Sequence, residues 1–164
     1  MLRPIFPEDW RELFASIADK RVVRMLASAP WPYTVEDARS FCDQPRRADE
    51  MLFAITLPGE DGAPLIGTIG LAPAEPETAH ELGYWIAPSH QRRGYGSEAV
   101  GAVLATARAL GVSEATAGHF VDNPVSGKVL QKWGFQRESK LAQTASAGRG
   151  GQTVPTQRYR LTIA

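Results

Sequence analysis

The segment 81–121 constrains the fold of this chain more than any other. "ELGYWIA" at 81–87 alternates like a strand. Val100, Val103, Leu104, Ala107 and Leu110 then recur at helical spacing, and Gly111 stands where a left-handed residue closes a helix. "EATAGHFV" at 114–121 returns to strand character. A strand–helix–strand run of this length is a crossover connection, which makes its two strands parallel neighbours.

The flanking segments predict antiparallel neighbours. "MLFAITL" at 51–57 and "LIGTIGLA" at 65–72 are strand runs separated by the turn cluster 58–64. A second turn at 73–79 leads into the strand at 81–87, completing a three-strand meander. Earlier in the chain, Trp10, Leu13, Phe14 and Ile17 mark a helix over 9–18 with Asp9 as N-cap. A short helix follows over 20–26, and Thr34 with Asp37 forms a capping box for "TVEDARSFC". Downstream, a helix covers 124–133 with Pro124 at its first position and Gly134 beyond its end. Strands at 135–141 and 156–163 close the chain, with "TASAGRGG" at 144–151 read as a mobile loop. The expected fold is α/β (α+β): one domain over 1–164, with a mixed, mostly antiparallel sheet and helices on both faces.

Charge and composition narrow the function classes. Eighteen Lys plus Arg balance eighteen Asp plus Glu, which argues against a general nucleic-acid binder. Cys42 is the only cysteine, so no intramolecular disulfide is possible and no oxidising compartment is required. No apolar run reaches membrane-span length, so the expectation is a cytoplasmic protein without membrane contact. His80, His90 and His119 lack metal-ligand spacing, and no metal is expected.

Two strand-to-helix junctions carry the chemical signal. The first is "HQRRGYGSEA" at 90–99. Helix-start amides have no intrahelical partner and bind anions. Gly94 and Gly96 admit close approach and unusual backbone angles, and Arg92 and Arg93 add positive charge. A pyrophosphate fits such a site, although the same residues also make an ordinary glycine turn with two solvated arginines. Neither the G-x-G-x-x-G fingerprint nor the G-x-x-x-x-G-K-[ST] loop is present. The second junction is "NPVSGKVLQKWGF" at 123–135. Asn123 reads as an N-cap, and Val125, Val129 and Trp133 read as core-facing, which leaves Ser126 and Lys128 without a packing role.

Together, "QRRGYG" at 91–96 after "ELGYWIAP", and "NPVS" at 123–126 before "WGF" at 133–135, resemble the GNAT superfamily of acyl-CoA-dependent N-acetyltransferases. "LRP" at 2–4, "PWPYTVEDARSF" at 30–41 and "VPTQRYRLT" at 154–162 are most similar to the branch containing ribosomal-protein alanine N-acetyltransferases, the RimJ/RimL-like group. The resemblance implies acetyl-CoA as co-substrate. Gln91, Arg92, Arg93, Gly94, Tyr95, Gly96 and Ser97 would meet its pyrophosphate. The pantetheine arm would lie where the strand 81–87 splays from its parallel neighbour, against backbone groups of Ile86 and Ala87 on one side and Asn123 and Ser126 on the other. Many family members carry a proton-donating tyrosine in the helix before the final "GF". Leu130 occupies that place here, and the resemblance transfers the donor role to Ser126.

Acetyl transfer from a thioester needs a neutral amine, a polarised carbonyl and a proton for the departing thiolate. At pH 7 an α-amine costs about 1.4 kcal/mol to deprotonate and a lysine amine about 4.6. Glu81 is the first candidate base, acting through a water, and His119 is the second and also a candidate on the acceptor side. Strand alternation places Glu81, Gly83 and Trp85 on one face and Tyr84 on the other, so Tyr84 is not expected to replace the missing tyrosine. Glu98 complements the helix dipole. Trp31 and Tyr33 border the acceptor cleft by resemblance. Three readings stand: acetylation of a protein N-terminus, acetylation of a small amine, and a non-catalytic acyl-CoA-binding module. An amine acceptor is the expected partner, and a homodimer stays open.

Overall fold

The computed structural model describes residues 1–59, 62–74 and 79–163. The strands are β1 (Leu2–Pro4), β2 (Met51–Thr56), β3 (Leu65–Ala74), β4 (Ala79–Ile86), β5 (Glu114–Phe120), β6 (Gln136–Ser146) and β7 (Gln152–Thr162). The helices are α1 (Trp10–Ile17), α2 (Lys20–Val23), α3 (Val35–Asp43), α4 (Tyr95–Ala109) and α5 (Pro124–Lys132). The strands form one sheet in the order β1-β2-β3-β4-β5-β7-β6. Every neighbouring pair is antiparallel except β4 and β5, which the α4 crossover makes parallel.

That parallel pair is short. It joins His80 to Ala115, Glu81 to Thr116 and Leu82 to Ala117. Beyond Leu82 the strands part, although β4 continues to Ile86 and β5 to Phe120. On its other edge β5 is paired to β7 over its whole length.

Two apolar layers sandwich the sheet. On one face Ile66, Ile69, Leu71, Leu82 and Ile86 meet Val100, Val103, Leu104 and Ala107 of α4 and Leu130 of α5. On the other, Ala54, Leu65 and Trp85 meet Leu13 and Ile17 of α1, Val22 and Val23 of α2, and Ala38 and Cys42 of α3. The alternation read in β4 therefore divides it between two cores: Leu82, Tyr84 and Ile86 face α4 and α5, and Trp85 faces α1 and α3.

The Thr34 capping box forms as expected: Asp37 N–H donates to Thr34 Oγ1 at 3.1 Å, and Thr34 N–H donates to Asp37 Oδ2 at 2.8 Å. The Asp9 expectation fails. Asp9 ends a 3-10 turn, Pro7–Asp9, and makes no capping bond to α1. Its carboxylate accepts from both Nη atoms of Arg3 at 2.7 and 2.8 Å and from Phe6 N–H at 2.8 Å, fastening β1 to the start of α1. The α2 helix is shorter than the expected 20–26. Within the expected turns 58–64 and 73–79, residues 60–61 and 75–78 lie outside the described residues.

The loop expected at 144–151 is instead a packed corner. β6 runs on to Ser146, which is fully buried, and a 3-10 turn, Ala147–Arg149, follows. Ala147 N–H donates to Ala27 O, Ser146 Oγ to Leu26 O and Arg149 Nε to Arg24 O. A Cβ at Gly148 would come within 2.6 Å of the Val23 carbonyl oxygen. Small residues that suggested mobility are what close packing on α2 demands.

Candidate active site

A cleft of about 1260 Å³ opens where β4 and β5 part, bordered by the starts of α4 and α5. Its walls include Glu81, Gly83 and Trp85 from one sheet face and Leu82, Tyr84 and Ile86 from the other. The cleft thus passes through the sheet.

The α4 start is built from backbone. After a 3-10 turn, Pro88–His90, Arg92 and Gly94 both adopt left-handed conformations, at φ 61° and 88°. Such alternation turns successive N–H groups toward one side, and a non-glycine residue there is uncommon. Arg92, Arg93 and Gly94 are exposed, and neither arginine forms an ion pair among the described residues. No heavy atom lies within 4 Å of where a Gly94 Cβ would stand. The two glycines differ: a Cβ at Gly96 would come within 3.0 Å of the Tyr84 ring. Gly94 supplies the backbone conformation and open space, whereas Gly96 admits a neighbouring aromatic. Tyr95 and Ser97 also border the cleft, and Glu98 lies exposed in the first turn of α4.

The β4 backbone toward the gap is not arranged as expected. Ala87 N–H donates to Ile66 O at 2.7 Å, and Ala87 O accepts from His90 N–H at 2.9 Å. Both polar groups of Ala87 are therefore occupied within the protein. Because Ala87 pairs with β3, alternation directs the N–H and C=O of Ile86 and Tyr84 away from β3 and toward the gap. Gln91 reaches back, and its Nε2 donates to Ile86 O at 2.9 Å. The Ile86 N–H is thus directed at the gap while its carbonyl accepts from Gln91, which braces the strand end.

The α5 start is built from side chains. Asn123 sits at the cap position but makes no capping bond. Its Nδ2 donates to Ser126 Oγ at 3.1 Å. Burial pushes the Tyr84 phenol above the usual tyrosine range and keeps it protonated at neutral pH, with the neighbouring Ser126 hydroxyl acting weakly in the opposite direction. A tyrosine therefore stands beside the candidate donor: Tyr84 faces away from Glu81, and α5 with Ser126 packs on that side of β4. Leu130 is buried at 2% exposure and supplies no proton. Val125 and Trp133 do not pack into the core as expected: they are 53% and 38% exposed. Val129 lies between them, partly buried, and with Val125 it lines the cleft.

His119 lines the cleft, but its ring is committed. Its Nδ1 is 2.8 Å from Phe120 O, an acceptor only, so Nδ1 carries the hydrogen. Nε2 then accepts from the hydroxyl of buried Tyr159 at 3.2 Å. A Cβ at Gly127 would come within 2.6 Å of that Nε2, so the glycine makes room for the pair. Both ring nitrogens of His119 are thus engaged within the protein.

Glu81 borders the cleft, and its Oε1 accepts from Arg158 Nη1 at 2.5 Å. Sequence reasoning missed Arg158; the cross-strand pairing of Gly118 with Arg158 brings it to this edge. Tyr33 lines the cleft wall while mostly buried, and burial pushes its phenol up to about 12, with Asp37 adding to the effect. Trp31 is exposed and lies outside the cleft, in an adjoining hollow with Lys20, Arg21, Arg24 and Arg149. Among the described residues no three His, Cys, Asp or Glu side chains group as metal ligands, and no helix is long and apolar enough to cross a membrane.

Residues 1–136 match the family model for the acetyltransferase (GNAT) domain. An uncharacterised N-acetyltransferase of Bacillus subtilis, YoaA, is 44% identical over 85 residues, covering 51% of this chain. The matched region spans about half of that relative, 48% of its length. Among solved structures, the microcin C7 self-immunity acetyltransferase MccE, in complex with acetyl-CoA and AMP, shares the fold with TM-score 0.81 at 18% identity, over 99% of this chain and 91% of that one. RimL, a ribosomal L7/L12 alpha-N-protein acetyltransferase in complex with coenzyme A, shares it with TM-score 0.79 at 20% identity, over 99% and 93%.

Proposed function

From the premise that this chain belongs to the GNAT acetyltransferase family, we propose that it moves an acetyl group from acetyl-CoA to a primary amine. The observation that carries this reading is the gap between β4 and β5, with the glycine-opened start of α4 on one side and the Ser126–Asn123 pair, beside Tyr84, on the other. The residues present fit the co-substrate. Arg92, Arg93 and the first-turn amides of α4 suit a pyrophosphate, and the Ile86 and Tyr84 backbone suits an amide-bearing arm. Ser126 gives the leaving thiolate its proton, and the protonated phenol of Tyr84 stands behind it. Neighbours solved with acetyl-CoA or coenzyme A support the ligand class.

For the acceptor we propose an α-amine. Glu81 is held by Arg158 and His119 by Tyr159, so neither candidate base stands free. The amine needing the least deprotonation is then favoured, by about 3 kcal/mol over a lysine. A protein N-terminus, as named for RimL, carries such an amine, and similarity of "LRP", "PWPYTVEDARSF" and "VPTQRYRLT" to the ribosomal-protein branch supports it. The test is a screen of peptides with different first residues, amino acids, polyamines and aminoglycosides, scored by release of free CoA thiol. Release with peptides or amino acids but not polyamines supports the α-amine reading; release with polyamines alone refutes it. On the accepted substrate, Glu81→Gln should therefore leave activity at pH 7 nearly unchanged. A loss at pH 7 that recovers in part at pH 9, where more of the amine is neutral, would make Glu81 the base and remove this ground for an α-amine.

A further inference from the structure

Trp133 closes α5, where packing against the core was expected of it. Its indole instead crosses to the first turn of α4. Nε1–H donates to Ser97 O at 2.8 Å and to Ser97 Oγ at 3.1 Å. The ring lies over Gly101, one helical turn further on, where any Cβ would overlap it. Glycine inside a helix costs about 1 kcal/mol relative to alanine, and here its absent side chain is what lets the indole lie flat on α4. Two independent features, a bifurcated hydrogen bond and a glycine-shaped seat, fix one ring in one place.

The consequence falls on Ser97. Its Oγ accepts from the indole with one of its two lone pairs, and its hydrogen stays available for an acceptor-only group such as a phosphoryl oxygen. That hydrogen makes no hydrogen bond among the described residues. Ser97 lines the cleft in the turn that presents Gly94, Gly96 and the free amides. The indole therefore anchors this hydroxyl beside the first-turn amides of α4, where an acceptor-only phosphoryl oxygen would take its hydrogen. Resting on the acetyl-CoA reading above, we infer that Trp133 is a positioning residue for pyrophosphate recognition: it holds the Ser97 hydroxyl as a donor to a phosphoryl oxygen and ties the two cleft helices together at that point.

The test compares CoA with pantetheine, which keeps the arm and thiol but lacks the pyrophosphate and the 3′-phosphoadenosine, and with 4′-phosphopantetheine, which restores one phosphate without the nucleoside. Dissociation constants are measured for wild type, Trp133→Phe, Ser97→Ala and the double variant, with apo melting temperatures alongside. Trp133→Phe should weaken CoA and 4′-phosphopantetheine about three- to tenfold, the effect of one net hydrogen bond, and leave pantetheine unchanged. Ser97→Ala should do at least as much, and Trp133→Phe should add nothing in that background, because coupled residues are non-additive. Equal losses for CoA and pantetheine would mean that Trp133 acts only by general packing, and this overturns the inference. So do an unchanged CoA affinity in Trp133→Phe and additive losses in the double variant. Wild type that binds pantetheine no worse than CoA overturns the pyrophosphate reading itself, and the inference with it, before any variant is compared. Should Trp133→Phe fail to fold, the selectivity of Ser97→Ala for CoA over pantetheine decides: equal effects refute the role.

Discussion

The two junctions that frame the cleft are both strand ends running into helices, yet they are made of different material. At β4–α4 the working parts are mainly main-chain, left-handed Arg92 and Gly94 and the first-turn amides, with the side chains of Arg92 and Arg93 adding positive charge. At β5–α5 the backbone has no left-handed residue, and the working parts are the amide of Asn123, the hydroxyl of Ser126 and the phenol of Tyr84. The first junction offers a field and a row of N–H groups, suited to holding an anion without changing it. The second offers a protonated chain, suited to giving a proton away. The difference teaches how each should fail. A backbone site is destroyed by adding atoms, and a side-chain site by removing them.

The sharpest test of that distinction is Ser126→Ala. If Ser126 delivers the thiolate's proton, turnover on a confirmed acceptor should drop about 10²–10⁴-fold, with CoA affinity nearly unchanged. Asn123 Nδ2 loses its acceptor in this variant, so a small fall in apo stability accompanies the loss. Wild-type turnover would remove Ser126 from the chemistry and break the comparison at its second member. Gly94→Val should do the opposite. A branched residue at φ 88° resists the left-handed conformation and costs about 1–2 kcal/mol of apo stability. CoA affinity should fall further, about a hundredfold, the equivalent of one or two charge-assisted hydrogen bonds. Calorimetric stability and CoA titration on the same preparation separate the two effects; equal losses would make the junction a structural turn.

Ligand-dependent melting gives the next effect in size. Acetyl-CoA at 100 times its dissociation constant should stabilise wild type by about 2.7 kcal/mol, and the same concentration should do far less for Gly94→Val. An unmoved wild-type melting temperature would leave the first junction without its ligand.

The smallest expected effect concerns what anchors the second junction. Asp122, just before Asn123, accepts from Arg149 Nη2 at 2.9 and 3.0 Å, and Arg149, with a smaller contribution from Arg24, holds its carboxyl below the usual range. A lowered folded-state value contributes stability above the unfolded value, near 3.9, which is lost as pH falls through the folded one. Asp122→Asn should thus cost at most about 1 kcal/mol at pH 7, because the pair is partly exposed. The difference from wild type should shrink below about pH 4. A difference that persists at pH 2 would show that the anchor does not act through charge.

Much of this arrangement is legible in the chain itself, because its main signals are local. The periodicity within each element of the 81–121 crossover, the Thr34–Asp37 box and Pro124 at the start of α5 each depend on residues close together along the chain. What escapes reading is non-local. A three-residue strand, Leu2–Pro4, carries too short a pattern, and its fastening through Arg3 and Asp9 removes Asp9 from the cap it resembles. Ser146 and Gly148 look like linker residues until α2 packs on them. Tyr84 is assigned to the correct face of β4, but only the parting of β4 and β5 shows that this face meets Ser126. Val125 and Trp133 have core spacing, yet the surface they meet is the cleft and the first turn of α4.

The strand order carries a consequence for how the molecule comes into being. β7 is the last strand along the chain, yet it sits inside the sheet, between β5 and β6. Before it is synthesised, β5 has only the short bridge at His80–Leu82 to hold it, and β6 has no neighbour at all. A nascent chain that has emerged as far as α5 therefore carries both edges of the cleft while β5 still lacks the strand that fixes its position. Long-range pairing of this kind is slow to form and leaves strand edges exposed meanwhile. A ribosome stalled after α5 should present a protease-sensitive chain with no affinity for CoA, and acquisition of β7 should be the step at which the binding gap becomes permanent.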